Sequence, residues 1–155
     1  MTVERATPDG AAALAERAYR AAATAYLAAP HGWEQGVQAA LGEVLDLLAR
    51  EEAQTSGCAV LATPSLAAMT QRERLVERFV RLLGPSPATT GVAHPDVVAE
   101  AVGESVLELI GQYVTEDRVT ELPEALPIAT LLVLTPFVGS DAAERLATTR
   151  GDARR

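Results

Sequence analysis

Nucleophilic catalysis needs an activated nucleophile, a base and a group that orients the base. This chain offers one cysteine, Cys58, and two histidines, His31 and His94. Cys58 falls in the apolar stretch 58–62, and no spacing sets either histidine beside it. It reads as a small buried hydrophobe. Glu100, Glu104 and Glu108 recur every four residues, which puts three carboxylates on one helix face. Bundles that bind two metals add Glu-x-x-His pairs, and neither histidine stands three residues after a glutamate, so a solvated stripe is expected. Arg74, Arg78 and Arg81 share another face, with Arg72 beside them and Glu73 and Glu77 interleaved. Such a stripe could hold an anion or an acidic partner; the plainer reading is a surface laced with ion pairs. Gly84, Gly91, Gly103 and Gly111 form no phosphate-cradling pattern. No catalytic residue, metal site or cofactor is expected, and the chain is read as a non-enzyme.

A different chemistry needs no reactive group. Tyr19, Tyr26, Trp33, Met69, Phe79 and Tyr113 are the few bulky side chains on faces otherwise lined by Ala and Val. Large groups framing small ones can wall a pocket for an apolar ligand. These six, with Cys58, are the expected pocket residues, although each could equally be ordinary core.

The elements that must position them are helices. Residues 9–29 are dense in Ala, Leu, Glu and Arg behind Pro8, and Leu14, Ala18, Ala22 and Tyr26 repeat at helical spacing. Residues 33–52 carry the stripe Val37, Leu41, Val44, Leu45 and Leu48. Thr63-Pro64 opens a third long helix over 65–83, and 84–91 is a Pro/Gly loop. Residues 95–117 form the strongest helix, and 122–137 the last long one, with Pro127 near its start and Pro136 near its end. A short helix over 142–147 closes the chain. No stretch alternates with period two, so the fold class is all-α, a bundle of about six to seven helices. One domain over 11–148 is expected, with a lead at 1–10 and an Arg-rich tail at 149–155.

Composition limits the partners. Of 155 residues, 48% are hydrophobic and 4% aromatic, so Ala, Leu and Val must make the core. The net charge is −8 and every basic residue is Arg. Phosphate-backbone binding rests on clustered cations, so no direct nucleic-acid contact is expected. The longest apolar run, 128–138, falls short of the ~20 residues of a membrane span, and the N-terminus shows no signal core. A cytoplasmic bacterial protein without a membrane partner is the expectation.

Two consecutive helices, 97–113 and 128–137, carry more apolar surface than one side can bury. The excess reads as a twofold seam of four helices between copies. Val98, Val102, Gly103, Val106, Ile110, Leu131, Leu134 and Phe137 are its expected contacts. The alternative is a pair wholly internal to one chain.

Several segments together resemble the C-terminal domains of TetR-type transcriptional regulators. Trp33-Glu34-Gln35-Gly36 leading to Leu45-Asp46-Leu47-Leu48 is similar to the helix that opens with a Trp and an acid. Arg74-Leu75-Val76-Glu77-Arg78-Phe79 resembles the long helix after it. Ala101-Val102-Gly103 with Val106-Leu107 looks like the dimer helix. Leu122-Pro123-Glu124-Ala125-Leu126-Pro127 leading to Thr135-Pro136-Phe137-Val138-Gly139 resembles the final one. The resemblance spans about 11–147 and implies a small-molecule-sensing cavity and a homodimer. Family members begin with a basic helix-turn-helix, which the residues before Ala11 are too few to form. The expected function is therefore that of an effector and dimerisation domain that does not itself read DNA. The competing expectation is a helical interaction protein, a heterodimer partner or anti-repressor, with no ligand.

Overall fold

The structure, a computed structural model, describes residues 8–30, 32–52, 66–84 and 91–149. Cys58 and the expected start of the third long helix lie outside the described residues. The elements are α1 (Pro8–Ala28), α2 (Gly32–Glu52), α3 (Leu66–Leu83), α4 (Pro95–Thr115), a 3-10 segment (Val119–Ala125), α5 (Leu126–Val138) and α6 (Ser140–Thr149). Among the described residues there is no strand, and the fold is an all-α bundle of six helices.

α1 and α2 form an antiparallel pair that the small residues permit. Leu14, Ala18 and Ala22 on α1 are buried at four-residue spacing, and so are Val37, Leu41 and Leu45 on α2. The pair approaches closely at Gly36. A Cβ there would stand 2.9 Å from two ring atoms of Tyr26 and 3.3 Å from its carbonyl oxygen. α3 and α4 meet in a second close approach, where a Cβ on Gly103 would stand 3.2 Å from Phe79 and 3.3 Å from Val76. The core is continuous, running from Leu14 on α1 through Leu45, Leu83, Val106 and Val133 to Ala143 on α6.

Helix ends follow local chemistry. Pro95 opens α4 behind His94, whose φ is 53°. At the other end Asp117 takes φ 57°. The Arg118 N–H then donates to the Tyr113 carbonyl at 2.8 Å, and the Asp117 N–H to Val114 at 3.2 Å. This is a Schellman closure with Asp in the place usually taken by Gly. The expected single helix over 122–137 is divided. Pro127 has no N–H to continue an α-helical ladder from Pro123, and the chain runs as a 3-10 segment until the Leu126 N–H donates back to the Pro123 carbonyl. The closing helix is longer than expected, Ser140–Thr149.

The 3-10 segment and α5 together change one expectation. Val119–Val138 is 20 residues long with mean hydropathy 1.4, long and apolar enough by length and composition to cross a membrane. In this fold the stretch supplies core: Leu122, Ala129, Thr130, Val133 and Leu134 are fully buried. The Thr130 hydroxyl is satisfied by donating to the Leu126 carbonyl at 2.8 Å.

Two glycines make opposite predictions. Gly36→Val pushes into the Tyr26 ring and should cost about 1–3 kcal/mol. At Gly111 nothing lies within 4 Å of an added Cβ, so Gly111→Ala should stabilise by about 0.5–1 kcal/mol through helix propensity. Urea denaturation of the two variants beside the parent checks both signs.

Candidate functional site

Four helices leave space between their two close approaches. An apolar cavity of about 100 Å³ lies there. α1 lends Ala15, Ala18, Tyr19 and Ala22; α2 lends Val37, Ala40, Leu41 and Val44. α3 lends Leu75, Val76, Arg78, Phe79, Leu82 and Leu83, and α4 lends Gly103, Val106, Leu107 and Ile110. The alanines of α1 and Ala40 create the space, because no side chain reaches across it. Engineered apolar cavities of roughly 150 Å³ admit benzene, whereas drug-sized ligands occupy roughly 300–1,000 Å³. In this state the cavity suits a molecule of few heavy atoms.

Among the described residues, Arg78 is the only charged one that lines the cavity. Its guanidinium carbon stands 5.6 Å from the centroid of the Tyr19 ring, and Nη2 pairs with Glu16 at 2.8 Å. Glu16 also accepts from Arg20 Nε at 3.1 Å. These groups close the seam between α1 and α3, which touch far less than α1 and α2 do. Both ends of the Glu16–Arg78 pair keep about a third of their side-chain surface, and ion pairs so exposed contribute about 0–1 kcal/mol. The ion pair at the seam therefore adds little to its stability.

Of the seven expected pocket residues, Tyr19 and Phe79 line the cavity. Cys58 lies outside the described residues. The other four serve elsewhere. Tyr26 covers Gly36. Met69 is 58% exposed. Tyr113 lies beneath the Arg118 guanidinium at 5.1 Å, which Glu121 and Glu116 hold firmly charged. Trp33 is a tie between helix ends: its Nε1–H donates to the Leu83 carbonyl at 2.7 Å, and its ring meets Phe137 edge-on at 5.6 Å. Arg78 was visible in the sequence only as one member of a cationic stripe.

The acidic stripe on α4 meets α3 through Arg72. Arg72 reaches Glu104 at 3.4 Å and Glu108 at 3.8 Å. Among the described residues no His, Cys, Asp and Glu gather as a metal site. Glu73, Glu77, Asp96, Glu100 and Glu104 line an open groove between α3 and α4, with Arg81 among them.

The residues expected at a dimer seam are redistributed. Val102, Gly103, Val106, Ile110 and Leu134 are buried inside the single chain and have no free surface for a second copy. Gly103 brings α4 against α3, not against a twofold mate. Val98, Leu131 and Phe137 are partly buried against the same core. What α4 and α5 expose is another set: Val97 at 63%, Ile128 at 51% and Leu132 at 38%. Ala101, Ser105 and Gln112 on α4 and Thr135 on α5 are also exposed at helical spacing. The sequence could not choose the side, because more than half the circumference of α4, and nearly all of α5, is apolar.

What the fold defines is a class, an all-α helical bundle. Compared with protein-family models, with curated proteins and with solved structures, the chain matches none.

Ala18→Leu directs an isobutyl group into the space. It should raise stability by about 1 kcal/mol, since each newly buried CH₂ contributes about 0.8 kcal/mol and repacking removes part of the gain. Thermal unfolding checks the sign; a lowered midpoint would mean that the space is already filled.

Proposed function

We propose that this chain is a small-molecule-sensing and dimerisation domain of a TetR-like transcriptional regulator. The observation that carries the reading is the apolar cavity between α1, α2, α3 and α4. It has one wall on α4, the helix whose opposite side presents Val97 and Ala101 to solvent. The segment resemblance along 11–147 adds the same pairing of cavity and dimer helix. In this reading the seam uses the outward set Val97, Ala101, Ser105, Ile128 and Leu132, because the inward set is already buried. DNA contact by this chain is not part of the proposal. The net charge is −8, and on α3 Arg72 and Arg78 are committed to Glu104, Glu108 and Glu16.

The small cavity volume favours a second reading, a helical interaction protein that takes no ligand and meets a different chain through the same outer face. Native mass spectrometry separates the two. The sensing reading expects a homodimer that retains a small apolar adduct. The doubly substituted Ile128→Glu, Leu132→Glu protein should be monomeric with its helicity unchanged. A monomeric parent without an adduct would overturn the first reading and leave the second.

A further inference from the structure

The chemistry of the cavity wall decides what can occupy it. Ala18 and Ala22 of α1, Ala40 of α2 and Phe79 of α3 have hydrocarbon side chains, and so do most of the residues around them. Among the described residues, Tyr19 and Arg78 are the lining residues with polar side-chain atoms. They are engaged with each other and with Glu16. The Arg78 guanidinium lies over the Tyr19 ring at 5.6 Å, and its Nη2 pairs with Glu16 at 2.8 Å. The backbone of the wall is helical, so its polar groups are bonded along the helices. At the end of α3 the Leu83 carbonyl accepts from Trp33 Nε1. Among the described residues no side-chain nitrogen or oxygen is buried without a hydrogen-bond partner. Nothing polar is therefore left waiting for a ligand. A buried water needs about two to four polar partners, and such a wall does not supply them.

We infer that the cavity selects a compact, uncharged molecule with no hydrogen-bonding group, a small hydrocarbon or a single unsubstituted ring, against Ala18, Ala22, Ala40 and Phe79. This rests on the sensing reading above and names its ligand class. Selection works by exclusion. A hydrocarbon gains contact with the walls and gives up nothing to water. An isostere with one ring nitrogen or oxygen gives up its hydrogen bonds to water and finds no replacement. An ion gives up far more. Size is limited as well. Roughly 150 Å³ of apolar space admits benzene, so a cavity of about 100 Å³ takes about four to six heavy atoms.

Methyl-detected NMR titration of the full chain with benzene and pyridine, and with cyclopentane and tetrahydrofuran, tests this at a pH where pyridine is uncharged. The members of each pair share one shape and differ by one acceptor. Benzene and cyclopentane should shift the methyl signals of Ala18, Ala22 and Ala40. They should bind about tenfold or more tightly than their partners, the effect of burying an acceptor without a donor. Ala18→Leu and Ala22→Leu fill the space from α1, and each should weaken hydrocarbon binding about tenfold or more. Circular dichroism confirms that both are folded. Gly111→Ala adds a methyl group where nothing lies within 4 Å and should bind as the parent does, which separates filling the space from a change in stability. Pyridine or tetrahydrofuran binding as tightly as the hydrocarbons overturns the ligand class and leaves the sensing reading standing. Hydrocarbon binding that both leucine variants leave intact overturns the assignment to this cavity. If neither series binds, the ligand class fails. An adduct of another chemistry retained in native mass spectrometry would then keep the sensing reading, and no adduct would end it.

Discussion

The bundle depends on how the start of α2 is held. Trp33 is the single tryptophan in a chain with few aromatics, and it is used where three helix ends converge. Its N–H satisfies the Leu83 carbonyl at the end of α3, one of the acceptors that a helix terminus leaves without a partner. Its ring edge fixes Phe137 at the end of α5. Gln38, one turn further along, does the same for α6 by donating to the Leu146 carbonyl at 2.6 Å. An orphaned buried acceptor costs about 1–3 kcal/mol. These two side chains therefore tie the ends of α3, α5 and α6 to α2.

The cavity follows from the same economy of large side chains. Gly36 lets α1 and α2 meet closely beneath Tyr26, and Gly103 lets α3 and α4 meet at Phe79 and Val76. Between the two contacts the facing residues are Ala18, Ala22 and Ala40, which cannot span the gap. Voids in cores cost roughly 24 cal/mol per Å³, so a space of about 100 Å³ forgoes on the order of 2 kcal/mol of contact. That is a sizeable part of the stability of a small domain, and an occupant that fills the space recovers it.

Much of the fold was legible because its signals are local. Pro8, Pro30, Pro95 and Gly139 mark helix boundaries whatever lies around them, and the stripe Val37, Leu41, Leu45, Leu48 is a property of α2 alone. The division at Pro127 could have been read from its missing N–H, but proline in a first turn is equally compatible with an unbroken helix. The site was less legible. Bulky residues were expected to wall a pocket, yet Trp33 and Tyr26 close helix junctions and Met69 faces solvent. The walls are mostly small residues, and their role depends on distances between helices that no single segment encodes. Choosing the buried side of α4 failed for a related reason. Val97, Val98, Val102 and Val106 are alike as side chains, and only the positions of α3 and α5 decide which of them face inward.

α4 then joins the two surfaces that matter. Gly103, Val106 and Ile110 form the cavity's wall on one side. Val97, Ala101 and Ser105 stand exposed on the other, as Ile128 and Leu132 do on α5. A helix is stiff over this length, because each turn is held by the hydrogen bonds of the next. In the proposed sensing reading, an occupant that shifts α4 away from α1 would shift the outer stripe by a similar amount, with no intervening loop to absorb the movement. Coupling between a binding site and an interface needs an element that both contact and that has more than one resting position. In the proposed sensing reading, an interior packed to ordinary density would give α4 nothing to respond to, and the space left by the alanines is what would let the outer face report on the cavity.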